Sequence, residues 1–106
     1  MKDKIIAMVK RPGMGNTWEK VEVDNQLNAL QQLVGGYLET ITIRDDIVLL
    51  FDEEGVIKAL EPNMYVRGHW IRGPIVAVGV DGEEFDDCPA QTPWKMRVAI
   101  SLANGL

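Results

Sequence analysis

The chain has few of the residues that most metal and redox sites need. Its 106 residues include a single cysteine, Cys88, and a single histidine, His69. One cysteine excludes an intrachain disulfide, and the two residues together are too few for a zinc site of His and Cys ligands. We therefore expect no such metal site and no cofactor, although a site made of oxygen ligands alone stays open.

Positive charge is also scarce. The chain has 11 Lys and Arg residues against 16 Asp and Glu residues, which gives a formal net charge of −5. Binding along nucleic acid requires clustered cations, so we expect no broad nucleic-acid surface. The acidity is better explained by solubility than by mimicry of DNA, because the acids lie in predicted turns and form no long helical stripe.

Long hydrophobic runs are missing as well. The longest uncharged, apolar-rich run covers residues 73–80, whereas a membrane-spanning helix needs about 20 residues. The apolar run after Lys4 has about five residues, short of the roughly 7–15 in the core of a signal peptide. We expect a cytoplasmic protein without membrane contact.

The composition is that of a globular protein, with 46% hydrophobic and 25% charged residues, and the length suits a single domain over residues 1–106. In the first part of the chain, the apolar run at residues 4–10 and the alternating residues 18–23 predict an antiparallel hairpin. Its tip falls at residues 11–16, where Pro12, Gly13 and Gly15 favour a turn.

A helix is predicted next, and it begins at Asp24 as N-cap. Leu27, Leu30 and Val34 recur at helical spacing, and Gly35 can supply the left-handed residue that ends the helix.

Residues 37–60 predict a three-stranded antiparallel meander, with strands at 37–43, 47–51 and 56–60 and turns between them. The middle strand is almost continuously apolar, which is typical of a strand covered on both faces. One further strand is predicted at residues 75–80, whereas residues 62–74 show no clean period and predict an irregular segment.

A second helix is predicted from the N-cap Thr92 and from Pro93 at the first helical position, and it closes at residues 104–105. Trp94, Val98 and Leu102 lie on one of its faces. The predicted fold class is therefore α+β, a small, mostly antiparallel sheet packed with one central and one C-terminal helix.

No convincing catalytic set is present. Gly13 and Gly15 lack the spacing of a phosphate-binding loop, and the paired acids at residues 45–46 and 52–54 are typical of turns. Cys88 and His69 could act as nucleophile and base, but a lone cysteine beside a proline is more often inert. We assign no catalytic residues and expect a protein that is not an enzyme.

Residues 63–73 are the part of the chain that best suits binding, because they combine aromatic side chains with two of the five arginines. Such mixtures recognise planar or anionic ligands and also form the centres of protein interfaces. The alternative is that the aromatics only cover the core while the arginines pair with acidic turns. The candidate binding residues are Asn63, Tyr65, Arg67, His69, Trp70 and Arg72.

Three separated stretches resemble a known family. They are LVGGYLE at residues 33–39, EEG at 53–55 followed by PN at 62–63, and IRG at 71–73 leading to VAVG at 76–79. Between residues 5 and 85 the chain is similar to the uncharacterised domain-of-unknown-function 3846 family of phage, plasmid and mobile-element proteins. The resemblance implies a small α+β fold and a mobile-element setting, with the host cytoplasm as the location if a phage encodes the chain. It supplies no catalytic residues.

Three functions are compatible with these observations. The first is a non-enzymatic binding module that engages a host protein, in defence or host takeover. The second is a homo-oligomeric protein that sequesters a nucleotide-like small molecule, with Arg67, Arg72, Tyr65 and Trp70 holding phosphate and base. The third is an uncharacterised enzyme. A homodimer formed by pairing exposed strand edges is also expected.

Overall fold

A computed structural model describes residues 2–13 and 17–106. The strands are β1 (Lys4–Lys10), β2 (Glu19–Asp24), β3 (Leu38–Arg44), β4 (Ile47–Asp52), β5 (Pro62–Val66), β6 (His69–Arg72), β7 (Ile75–Asp81) and β8 (Glu84–Asp86). The helices are α1 (Leu27–Val34) and α2 (Pro93–Ala103). The predicted α+β class is confirmed, and residues 14–16 of the hairpin tip predicted at residues 11–16 lie outside the described residues.

Six of the strands form an antiparallel sheet in the order β2-β1-β7-β4-β3, with β8 paired to β7. The N-terminal hairpin is confirmed, because β1 and β2 pair from Lys4 opposite Asp24 to Val9 opposite Glu19. Strand β4 is buried over its whole length, as its apolar run predicts. Its neighbours are β3 and β7, so it lies inside the sheet, whereas β2 and β3 form the two edges.

The prediction of a third meander strand at residues 56–60 is wrong. Residues 53–59 form consecutive turns, in which Lys58 N donates to Glu54 O at 2.9 Å and Leu60 N donates to Gly55 O at 2.9 Å. These bonds satisfy the backbone locally, and the place beside β4 is taken by β7. The prediction failed because an apolar stretch of only five residues does not distinguish a strand from a series of turns.

Each face of the sheet is covered by a different element. Helix α1 covers one face with Leu30 and Val34, which pack on Val48, Leu50 and other apolar residues of the sheet. The opposite face is covered by α2, through Met96, Ala99 and Ile100, and by the hairpin formed by β5 and β6, through Val66 and Ile71. Neither helix is long and apolar enough to cross a membrane in the part of the chain that the structure describes.

The start of α1 differs from the prediction, since its N-cap is Gln26 and no side chain caps the helix. The carboxylate of Asp24 instead accepts a hydrogen bond from Lys4 Nζ at 2.7 Å, because Asp24 still belongs to β2. The end of the helix is as predicted, with Gly35 in the left-handed conformation at φ 90°.

The cap of α2 is confirmed, because Thr92 Oγ1 accepts a hydrogen bond from Lys95 N at 3.1 Å and Pro93 begins the helix. Trp94, Val98 and Leu102 share a face at four-residue spacing, and all three are exposed. They therefore add nothing to the core on which α2 packs.

Candidate functional site

The candidate binding residues lie on a β-hairpin, so the prediction of an irregular segment over residues 62–74 is wrong, apart from a register shift between Pro62 and Met64. Strands β5 and β6 pair antiparallel as a two-stranded sheet of their own. Arg67 and Gly68 at its tip have φ values of 47° and 84°, the signature of a type I′ turn. This turn is difficult to predict from the sequence, because arginine is uncommon at positive φ and a two-residue hairpin turn usually has the sequence Asn-Gly or Asp-Gly.

The hairpin tip is fastened to the end of α2. The side chain of Asn104, the C-cap of that helix, accepts a hydrogen bond from Arg67 N at 2.8 Å and donates one to Tyr65 O at 3.0 Å. Val66 and Ile71 anchor the inner face of the hairpin in the core. The outer side chains are therefore presented by a fixed backbone.

The base of the hairpin is held by Asn63, which is one of the candidate binding residues. Its amide nitrogen donates to Lys10 O and to Gly73 O, both at 2.8 Å, and its oxygen accepts from Lys10 Nζ at 2.6 Å. Lys10 is only 3% exposed, and burial lowers its pKa. The polar groups of Asn63 are thus occupied within the fold, and we assign the residue an anchoring role.

The two arginines do not converge on one ligand position. Arg67 occupies the tip, whereas Arg72 pairs with Pro62 at the base. Arg72 lies three residues along β6 from His69, which corresponds to roughly 10 Å at about 3.3 Å per residue, and Arg67 lies beyond His69 in the turn. Arg72 is half-buried and donates from a guanidinium nitrogen to Leu60 O at 3.0 Å.

Tyr65 and Trp70 form the exposed aromatic centre of the hairpin. They lie directly opposite each other on the two strands, with ring centroids 5.4 Å apart and ring planes inclined by 60°. Trp70 is 65% exposed and Tyr65 is 48% exposed. This exposure argues against the alternative that the two aromatic side chains only cover the hydrophobic core. His69 and Arg67 are exposed beside them.

A cleft of about 280 Å³ lies between this hairpin and the edge of the main sheet. Residues 69–72 line one side, and Glu39, Thr40 and Ile41 of β3 line another. Val56, which is 75% exposed, also contributes to the lining. The sequence did not point to Val56 or to β3, because apolar residues in a predicted strand look like core residues.

The cleft carries more acidic than basic side chains, with Glu39, Asp52 and Glu53 against Arg72. Burial acts to raise the pKa of Asp52, but its ion pair with Lys58 at 2.7 Å and its hydrogen bond from Glu54 N hold that pKa below the usual value. Asp52 is thus ionised at neutral pH and compensated by Lys58.

Cys88 is fully buried, and its sulfur contacts Ala90 O and Met96 Sδ rather than His69. Burial raises the pKa of the thiol, which disfavours the reactive thiolate. Within residues 2–13 and 17–106, no group of three or more His, Cys, Asp or Glu side chains is arranged to hold a metal ion.

Comparison with known protein families gives a match that covers most of the chain. The family model described as Domain of unknown function (DUF3846) matches residues 2–98, which confirms the family resemblance expected from the sequence. The matched region includes the whole sheet, the β5–β6 hairpin and the first half of α2. No curated protein and no solved structure matches the chain.

Proposed function

The chain belongs to the family described as Domain of unknown function (DUF3846), and we propose that it is a small, non-enzymatic binding module. Its partner is a host protein, and its genomic setting is a phage, plasmid or other mobile element, where it acts in defence or host takeover. The setting is supported by the family resemblance, and the mode of binding is argued from the hairpin.

The exposed pair of Tyr65 and Trp70 carries the proposal. Large aromatic rings are costly to leave in water, and they are the side chains that most often dominate the energy of protein interfaces. Here Asn104 at the tip and Asn63 at the base hold the strands that carry them. Little conformational entropy is therefore lost when a partner covers the rings.

The cleft beside Trp70 extends the same surface, which we name the hairpin surface and define as Tyr65, Trp70 and Val56 with the cleft between Trp70 and Val56. An apolar anchor from a partner can enter the cleft, while His69 and Arg67 at the rim offer polar contacts. A protein fits this surface better than a nucleotide does. The arginines are separated along the hairpin, and Glu39 and Glu53 in the cleft repel phosphate.

The test is affinity capture from host cells with the wild-type chain and two tryptophan variants, followed by mass spectrometry of retained proteins and small molecules. Trp70→Ala removes the centre of the hairpin surface. Trp94→Ala is a matched control, because Trp94 is 66% exposed but lies on α2. We expect one captured protein to be lost with Trp70→Ala and kept with Trp94→Ala, and its affinity for purified Trp70→Ala to fall at least about tenfold, since a hot-spot residue contributes about 2 kcal/mol or more.

Two results would contradict the proposal. If Trp70→Ala retains the same proteins with the same affinity as the wild type, the hairpin surface is not the binding site. If a nucleotide is retained and raises the melting temperature of the purified wild-type chain, the small-molecule alternative replaces a protein partner.

A further inference from the structure

The outer edge of β3 is an open strand edge. Glu53 N donates to Tyr37 O at 3.0 Å. Because the backbone N–H and C=O groups of an antiparallel strand alternate in direction, this bond shows which residues of β3 direct these groups to β4 and which direct them outwards. Within residues 2–13 and 17–106, the backbone groups that face outwards have no hydrogen-bond partner. They belong to Leu38, Thr40 and Thr42.

The two edges of the sheet differ in the charge of their outward residues. Strand β3 has a register shift between Thr42 and Arg44, which leaves Leu38 to Thr42 in regular pairing with β4. On β2, Asn25 N donates to Asp3 O at 2.8 Å, so the outward backbone groups belong to Lys20, Glu22 and Asp24. All three residues are charged, and charged side chains on an edge oppose pairing with another strand. The outward residues of β3 carry no charge, and threonine favours extended backbone.

We propose that β3 pairs with β3 of a second copy of this chain, antiparallel about a two-fold axis at Ile41. The two sheets then join into one continuous sheet, and the edge of each β3 is closed. This inference goes beyond the proposed function, because the interface lies on β3 and does not require the host partner.

The sequence of β3 is complementary to itself in this register. Thr40 lies opposite Thr42 of the second copy, a favourable cross-strand pair, and Ile41 lies opposite its own counterpart. The strand has its one acid, Glu39, near one end and its one base, Arg44, at the other. Antiparallel pairing brings Glu39 to the end of the second strand that carries Arg44. The guanidinium of Arg44 also bonds to Asp46 of its own chain, with Nε 2.6 Å from Oδ1, so Asp46 offsets part of the attraction between Glu39 and Arg44.

Helix α2 adds area to the interface. The accessible surface buried by one pair of strands alone is smaller than the roughly 800 Å² per partner that stable interfaces bury. The helix packs on β3, so pairing of the strands brings the helices of the two copies side by side. The exposed Val98 and Leu102 supply apolar surface on this helix.

The second copy also borders the hairpin surface. Glu39, Thr40 and Ile41 line the cleft described above, so a strand added at this edge runs beside the cleft. The dimer carries two hairpin surfaces, one from each copy.

The experiment is sedimentation equilibrium of the purified full chain over a dilution series from millimolar to micromolar. Two double variants at exposed positions of β3 test the register: Thr40→Lys with Thr42→Lys, and Thr40→Glu with Thr42→Lys. The first places like charges opposite each other in the dimer, and the second places opposite charges there. Circular dichroism melting of each variant shows whether the fold is intact, and Lys20→Ala on β2 is the control.

We expect a wild-type dimer, a dissociation constant raised at least about tenfold by the first double variant, and a constant restored to within about threefold of wild type by the second. Lys20→Ala should leave the dimer unchanged. A wild-type chain that stays monomeric throughout the series overturns the proposal. An unchanged dissociation constant in the variant with two lysines also overturns it. The same holds if the variant with Thr40→Glu and Thr42→Lys is folded but does not recover the wild-type dissociation constant.

Discussion

Asn63 illustrates how one residue type can serve either recognition or folding. Its two polar atoms make three hydrogen bonds that join β5 to the end of β1 and to the turn before β7. Asn63→Ala leaves two backbone carbonyls and the buried ammonium of Lys10 without these partners. We expect a loss of about 2–4 kcal/mol in the free energy of unfolding, measured by urea denaturation.

The control for this prediction is Arg67→Ala, which removes an exposed side chain whose backbone N–H, not its guanidinium, bonds to Asn104. The stability of that variant should lie within about 0.5 kcal/mol of wild type. An Asn63→Ala variant as stable as wild type would contradict the anchoring role and return Asn63 to the candidate binding residues.

The sequence distinguishes these roles poorly at the residue scale. The sequence predicts Tyr65, Arg67, His69 and Trp70 as binding residues, and the structure shows all four exposed; their role in binding stays a prediction. Asn63 looked the same, because its hydrogen-bond partners come from Lys10 and Gly73, which are distant in sequence or across a turn. A polar residue in a recognition segment shows its partners only once the chain has folded.

At the scale of elements, the contact between α2 and the hairpin tip gives the next prediction. Asn104→Ala removes both hydrogen bonds that fasten the tip, while Val66 and Ile71 still hold the hairpin on the core. Hydrogen exchange of the amides at residues 65–69 should therefore become faster by about tenfold or more, because local opening becomes easier.

Asn104→Asp is the informative companion variant, since it keeps an oxygen acceptor for Arg67 N but loses the donor to Tyr65 O. Its exchange rates at the tip should fall between those of wild type and Asn104→Ala. Unchanged exchange in both variants would mean that the core contacts of the hairpin alone fix the tip.

Elements with a strong local signal were predicted well, and those decided by distant contacts were not. The cap at Thr92, the left-handed Gly35 and the apolar β4 each depend on a few neighbouring residues. The prediction of a strand at residues 56–60 failed because the position beside β4 is occupied by β7, which begins fifteen residues further along the chain. The spacing of Trp94, Val98 and Leu102 correctly predicts that they share one face of α2. The same spacing does not show whether that face packs on the core or is exposed to solvent, as it is here.

For the whole molecule, the acidic composition predicts how stability depends on pH. Ion pairs or hydrogen bonds hold the pKa values of Asp46, Asp52, Asp86 and Asp87 below their usual value in the folded chain. Each of these carboxyls binds its proton more weakly when folded than when unfolded. Their stabilisation is therefore complete above the unfolded pKa, at about 3.9, and is lost as the pH falls through the lower folded values.

We expect the melting temperature to be nearly constant from neutral pH down to about pH 5 and to fall steeply below about pH 4. Asp52→Asn should melt at a lower temperature than wild type at neutral pH, because Lys58 loses its charged partner. The gap between the two should narrow in acid, since protonation removes the same ion pair from the wild type. Calorimetry of both chains across this range checks the prediction, and a gap that stays constant into acid would show that the charge of Asp52 does not stabilise the fold.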